Sequence, residues 1–478
     1  MSRRSGGTGS ERGAGAGGKT DTTSGRDGGV GALAGALTGE VDKLSHCVHC
    51  GFCLPVCPTY TRLGDEADSP RGRLYLMRAV VEGRLDPGSS SFQTHIDRCL
   101  GCRACEPVCP SGVEYGHLLE RAREVAVSSR PPALAARILL SIMGYPIMEA
   151  GFMALSRVLR WSRIPALGAR FLPPGRWSGR MRLALAMLAA SAPAKPWNGD
   201  VGAGRAGDSE GVAAASTGTG RRRVAILTGC VQEGLFSRVN RATVRVLEAN
   251  GFEVASVPDQ RCCGALHAHG GILERARELA RRNVAAFEAA EVEMVVVNAA
   301  GCGSTMKDYV ELLEDDSDWA RRARELSEEV RDVSEVLADV GPRSGGTLPV
   351  RVAYDPPCHL VHAQRVADAP RSLLEAIPGL EVVPVENADE CCGGASIYGV
   401  THPELGGRIG GDKVDAVVRS GAEVVITGNP GCIMQIGAGL RMARVDVPVV
   451  HPIELLDESY RRAGMYQGIQ TGINGESG

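Results

Sequence analysis

Apolar positions change texture along the chain. In the C-terminal half, short runs rich in β-branched residues recur: Val224-Ala225-Ile226-Leu227, Met294-Val295-Val296-Val297, Val352-Ala353-Tyr354 and Val424-Val425-Ile426. Apolar throughout instead of alternating, they predict parallel strands buried on both faces. Stretches of helical period lie between them, such as Leu273 to Ala290, so this half reads as α/β. Residues 129–198 have another pattern, apolar but cationic: Pro131 to Lys195 carries nine Arg or Lys against one acid, Glu149. The longest uncharged run there, Ile138 to Met148, is interrupted by Gly144 and Pro146 and is far shorter than the roughly 20 residues that span a bilayer. A set of amphipathic helices is expected, packed on its own domains or on a partner, with an interfacial membrane contact as the alternative.

Residues 1–39 and 199–222 lack such periodicity and are rich in small residues, predicting a disordered tail and a flexible linker. The letters of a dinucleotide fingerprint at Gly29 to Ala34 follow no strand and are discounted. The resulting organisation is a compact block at 40–128, the basic apolar connector at 129–198, the linker, and two further domains at 223–345 and 346–465.

Composition narrows the chemistry. A chain of 478 residues with net charge -3 has no polyanion-binding footprint, and 4% aromatic residues make no stacking platform, so nucleic acid is excluded as a partner. No apolar stretch of signal type occurs in the first 30 residues, from which a cytoplasmic location is expected. There the 16 cysteines are better explained as metal ligands or redox groups than as disulfides.

Eight of them form two matching runs, Cys47, Cys50, Cys53 and Cys57, then Cys99, Cys102, Cys105 and Cys109, each with gaps of two, two and three and a proline after the last. This is the bacterial ferredoxin spacing for two 4Fe-4S clusters, in which the fourth cysteine of each run serves the other run's cluster. The assignment is Cys47, Cys50, Cys53 and Cys109 for one cluster, and Cys99, Cys102, Cys105 and Cys57 for the other. Zinc has no use for a third cysteine in each run. His46 and His49, beside these ligands, are read as surface or supporting residues. Ser69-Pro70 reads as the cap and first residue of a helix.

The other eight form a tandem repeat. Cys230, Cys262, Cys263 and Cys302 recur as Cys358, Cys391, Cys392 and Cys432 at nearly constant offset, and each adjacent pair is followed by glycine. Cysteines just beyond the carboxyl ends of parallel strands lie where open α/β sheets bind ligands, so each set of four is a candidate metal site; buried free thiols are the alternative. The fold class is therefore α+β multidomain: an α-helical two-cluster ferredoxin domain followed by two tandem α/β cysteine-rich domains.

With Cys47 to Cys53, Cys57-Pro58-Thr59-Tyr60, Leu63-Gly64-Asp65-Glu66, Pro70-Arg71-Gly72-Arg73 and His95 to Val113 in view, residues 40 to 460 resemble the iron-sulfur subunit of bacterial glycolate oxidase (glycolate dehydrogenase). The same layout is similar to iron-sulfur subunits of lactate and glycerol-3-phosphate dehydrogenase systems and to the cysteine-rich subunit of heterodisulfide reductase. In heterodisulfide reductase a fifth cysteine completes each set, ending in Cys-x-x-Cys. Here Thr305 and Gln435 stand at those positions, leaving a further iron-sulfur centre or zinc open, with His267, His359 or His451 as nitrogen donors.

The resemblance implies an FAD-containing 2-hydroxy-acid oxidase subunit and a related second subunit as partners. This chain would then be the complex's non-flavin subunit, with no catalytic residue of its own, passing electrons singly to a quinone or another acceptor. It would lie in the cytoplasm or peripherally on the inner face of the cell membrane. A thiol-disulfide reductase acting at Cys262-Cys263 or Cys391-Cys392 is the other class, and a purely structural metal scaffold a third.

Overall fold

A computed structural model describes residues 35–173, 175, 178–194, 221–394 and 398–466. The C-terminal half contains two four-stranded parallel sheets. The first comprises β1 (Arg223–Ile226), β2 (Glu253–Ala255), β3 (Met294–Val297) and β4 (Val330–Asp332) in the order β2-β1-β3-β4. The second comprises β5 (Val350–Tyr354), β6 (Leu380–Val383), β7 (Val424–Ile426) and β8 (Val449–Val450), and its order, β6-β5-β7-β8, repeats the first. The four apolar runs are the two central strands of each sheet, whereas the edge strands β2, β4 and β8 have only two or three residues and β6 carries Glu381.

Helices Val231–Ala249 and Pro452–Arg462 bring the two repeats together. Phe236, Val246 and Leu247 belong to the same core as Leu455, Leu456 and Tyr460. At its margin Arg238 pairs with Glu454 at 2.7 Å and Arg245 with Asp457 at 2.6 Å.

Helices Pro58–Leu63, Pro70–Val81, Ser90–Asp97 and Tyr115–Ser129 build the N-terminal block around Leu74, Met77, Phe92, Ile96 and Leu118. The Ser69 hydroxyl accepts from the Gly72 N–H at 3.0 Å, and Pro70 takes the first helical position where its missing N–H costs nothing. Gly72 admits no side chain, because a Cβ there would overlap the Glu66 carbonyl oxygen.

The disordered tail expected over 1–39 ends sooner. Gly35–Thr38 is one helical turn whose Leu37 side chain is fully buried in the block's core. Leu33 and Leu37 among small residues are too few to establish a period, so only the socket that Leu37 fills reveals its burial. Residues 1–34 and the expected linker from 199 to 220 lie outside the described residues.

The connector forms helices Leu134–Ile142, Pro146–Trp161, Ile164–Phe171 and Ser178–Ala190. Met143 and Met153 pack against Cys230, Cys262 and Leu279 of the first repeat. Ala169, Leu183 and Ala186 pack with Ala438 of the second. No single described helix is long and apolar enough to cross a membrane; the first two are bent by 108° at their junction.

Candidate iron-sulfur centres and their surroundings

The two cysteine runs of the ferredoxin block share a backbone trace. His49 and Gly101, each two residues after the first cysteine, have φ of 56° and 68°. Gly51 and Arg103, two residues further, have 89° and 60°. These left-handed turns curl each run so that its backbone N–H groups face inward; Gly101 donates to the Cys99 sulfur at 3.4 Å.

Two cavities result. One is lined by Cys47, Cys50, Cys53, Cys105 and Cys109, the other by Cys57, Cys99, Cys102 and Cys105. The fourth cysteine of each run thus sits with the first three of the other, and Cys105 stands in the wall between. Among the described residues, no three cysteine sulfurs lie within 4.8 Å of one another. Four thiolates about 2.3 Å from a tetrahedral zinc would be only about 3.8 Å apart, so the donor sets fit an object larger than one ion.

The surroundings of the two cavities differ. Cys50 is exposed, and Val48 and Phe52 beside it are 66% and 64% exposed. Around the second cavity the environment is closed and polar. Arg73, wholly buried, donates to the His95 carbonyl at 2.6 Å, to the Thr59 hydroxyl at 3.2 Å and to Asp68, whose carboxylate also takes His95 and Arg98 at 3.0 Å. Thr59 in turn lies 3.2 Å from the Cys57 sulfur, and the Tyr115 hydroxyl donates to that of Cys99 at 3.5 Å. Burial pushes the Cys99 thiol up, but Arg73 and Arg123, with the Tyr115 and Gly101 donors, outweigh it and hold the thiol below its ordinary range. Burial, reinforced by the charges of neighbouring sulfurs, prevails at Cys102 and Cys105, which are raised.

Both repeats gather their four cysteines at the carboxyl edge of the sheet, after the first, second and third strands in chain order. In the first repeat the Cys230 and Cys262 sulfurs are hydrogen-bonded at 3.3 Å, and hydrogen bonds continue through Cys263 to Cys302. In the second the same chain runs from Cys358 through Cys391 and Cys392 to Cys432. Hydrogen bonding among the sulfurs holds Cys262, Cys358 and Cys392 well below the ordinary range and, together with burial, raises Cys230, Cys263, Cys391 and Cys432.

Of the candidate nitrogen donors, His451 is used elsewhere: it caps helix Pro452–Arg462 through Nδ1 and bonds the Asn298 carbonyl through Nε2. His359 Nδ1 lies 3.7 Å from the Cys358 sulfur. His267 Nε2 donates to the Leu140 carbonyl. His46 and His49 are exposed.

The sulfur sets are also neighbours. Cys102 of the ferredoxin block and Cys358 pack on one small cluster with Leu100, Cys391, Tyr398 and Ile409. Asn429 joins the repeats, donating to the Cys432 sulfur at 3.3 Å and accepting from the N–H of Gly301, the residue before Cys302. Arg73 and Tyr115 escape sequence reading because the His95 carbonyl and the Cys99 sulfur they meet are 22 and 16 residues away, and Thr59 and Asn429, although close in sequence to Cys57 and Cys432, carry no spacing signal of their own.

Two adjacent thiolate cavities in a helical block, joined to a duplicated α/β fold with four cysteines per copy, define a class of iron-sulfur electron carrier. Residues 43–113 match the 4Fe-4S dicluster domain family, and residues 224–307 and 352–437 match the cysteine-rich domain family. The chain is 36% identical over 426 residues to the probable glycolate oxidase iron-sulfur subunit of Bacillus subtilis (strain 168), covering 87% of this chain and 94% of that one. It is 33% identical over 433 residues to the glycolate oxidase iron-sulfur subunit of Escherichia coli (strain K12), covering 88% and 96%. Lactate utilization protein A of Exiguobacterium sp. (strain ATCC BAA-1283 / AT1b) matches half of this chain at 34% identity and 99% of its own length. The chain belongs to the family of glycolate oxidase iron-sulfur subunits.

Proposed function

We propose that this chain is the electron-transfer subunit of a flavin-dependent 2-hydroxy-acid dehydrogenase complex, with glycolate as substrate, and that it delivers electrons to a quinone-type acceptor. The observation that carries the reading is the crossed pair of thiolate cavities abutting the second repeat, in a chain of this family. Cys47, Cys50, Cys53 and Cys109 would hold one 4Fe-4S cluster, and Cys57, Cys99, Cys102 and Cys105 the other. Bound clusters supply one-electron redox steps. Cys230, Cys262, Cys263 and Cys302, and Cys358, Cys391, Cys392 and Cys432, would hold further iron-sulfur centres.

Removing a hydride from a 2-hydroxy acid is a two-electron event suited to a flavin, so oxidation belongs to an FAD-containing partner, assembled with a related second subunit. The exposed Val48 and Phe52 beside Cys50 offer that partner an apolar contact at the open cavity. From there the donor sets follow one another through the fold: the open cavity, the closed one, the second repeat and the first.

Purification of the tagged chain from its host is expected to bring down a flavoprotein, and the assembly to reduce an artificial dye with glycolate. Turnover by this chain alone, free of flavin, would overturn the division of labour.

A further inference from the structure

Asparagine at the start of a helix ordinarily turns its side chain to that helix's own free N–H groups. Asn429 holds this position before helix Pro430–Met442, yet its carboxamide makes no such bond. It serves the other repeat and a sulfur instead. Its Oδ1 accepts from the Gly301 N–H at 3.3 Å, and its Nδ2 donates to the Cys432 sulfur at 3.3 Å.

The first repeat lacks what Asn429 supplies. Helix Ala300–Lys307, which carries Cys302, starts after Ala299, whose methyl group cannot cap the first turn. Two of the N–H groups left free there are taken by the second repeat: that of Ala300 by the Gly428 carbonyl at 3.1 Å, and that of Gly301 by Asn429. Gln364, also of the second repeat, donates to the Ala300 carbonyl at 2.9 Å. Ala299 and Asn429 stand at matching places in the duplication, each three residues before the last cysteine of its set, so a bridge of this kind forms in one direction only.

A continuous bonded path between the two sulfur sets results. From the Cys432 sulfur it passes through one hydrogen bond to the Asn429 amide, through a second to the Gly301 N–H, and along the backbone to Cys302, with no gap wider than 3.3 Å. Electrons tunnel faster through covalent and hydrogen bonds than across van der Waals gaps. An N–H donated to a cysteine sulfur also raises the potential of the centre that the cysteine holds.

We propose that Asn429 is where electrons cross between the centres of the two repeats, its amide coupling Cys432 to Cys302 while it caps the helix that carries Cys302. The proposal rests on the electron-transfer reading above. One electron leaves a reduced centre in one repeat and reduces an oxidised centre in the other. No proton moves and no covalent bond forms or breaks; the electrons are those lost by the hydroxy acid at the partner's flavin.

The test uses the full chain reconstituted anaerobically with iron and sulfide, with Cys302→Ser and Cys432→Ser assigning the signals of the two repeats. A flash-generated reductant starts transfer, freeze-quench electron paramagnetic resonance follows equilibration between the repeat centres, and redox titration gives their potentials. Asn429→Leu keeps the shape and loses both hydrogen bonds. Asn429→Asp keeps an oxygen for Gly301, and aspartate caps as well as asparagine, but its carboxylate has no N–H for the sulfur. In both variants equilibration is expected to slow tenfold or more beyond what the change in driving force accounts for. In both, the second repeat's potential should fall by more than the first's, while the melting temperature drops only in Asn429→Leu. A wild-type rate in either variant overturns the crossing; if Asn429→Asp alone keeps that rate, Asn429 is a helix cap and no more. A wild-type chain holding about eight irons, those of the ferredoxin block, and none in the repeats loses the crossing alone. A chain with no iron in either loses the electron-transfer reading beneath it.

Discussion

Replacing Arg73 by methionine isolates the effect of one buried charge on one cluster. The guanidinium is wholly buried, and burial alone would drive off its proton; the charges of Cys99, Tyr115, Cys57 and Asp68 outweigh that and hold its pKa above the ordinary value. Through Thr59, with contacts of 3.2 Å on either side, it lies within about 6 Å of the Cys57 sulfur. At that distance and an effective dielectric constant of about 20, one unit charge is worth about 2.8 kcal/mol. That is about two decades in an equilibrium constant, or about 120 mV for a one-electron couple at 59 mV per decade. A positive charge favours the reduced, more negative cluster. Arg73→Met should therefore lower the reduction potential of the cluster at Cys57, Cys99, Cys102 and Cys105 by about that amount and leave the other in place. Arg73→Lys, which keeps the charge but not the fork of hydrogen bonds, should retain most of the potential while losing stability. The assay is an anaerobic redox titration followed by electron paramagnetic resonance. A shift below about 30 mV in Arg73→Met, or an equal shift in Arg73→Lys, would refute the electrostatic reasoning.

Cys57→Ser should reproduce the spectroscopic lesion of Cys102→Ser, and Cys109→Ser that of Cys50→Ser; if Cys57→Ser matches Cys50→Ser, the crossed assignment is wrong. The chain reconstituted anaerobically should carry about eight irons from the ferredoxin block, with any excess due to the repeats; stoichiometric zinc with no iron would contradict both. Where that block meets the first repeat, burial raises Asp308 from 3.8 to about 7 against the pull of Arg103, and Glu311 and Glu40 raise His117 in spite of its burial. Both groups bind protons more tightly when folded, so their stabilisation is complete below the unfolded pKa and drains away as pH rises, for Asp308 between 3.8 and about 7 and for His117 from 6.5 upward. Glu40 and Glu311, lowered from 4.5, are already ionised there and do not oppose the trend. Protection factors of the amides around residues 308–314, which remove the intrinsic rise of exchange with pH, should fall as pH rises from about 5 through about 7 and above; protection that does not change with pH would remove these groups from the stability of the contact. An interfacial membrane contact of the connector predicts that Ile147→Glu combined with Trp161→Glu abolishes sedimentation with anionic vesicles, and absent or unchanged sedimentation would remove that contact.

Ligand spacing, the duplication and the central strands were legible in the sequence because each is a local matter. Gaps of two, two and three residues admit few ways of wrapping thiolates around a cluster, and an apolar β-branched run has few homes other than a buried parallel strand. The edge strands β4 and β8 were not legible, since two or three residues carry no period. Nor was the burial of Leu37, which depends on a socket formed by residues far along the chain. His451 was an open candidate for metal binding until both its nitrogens proved to be engaged. The sequence alone shows that the 16 cysteines fall into two runs of ferredoxin spacing and two copies of a four-cysteine repeat. Only the tertiary structure decided that Cys102 lies beside Cys358, that Asn429 joins Cys432 to the backbone at Gly301, and that the connector packs against Cys230 and Cys262. Such adjacencies are set by how helices and sheets pack across hundreds of residues, and no local pattern of side chains encodes them.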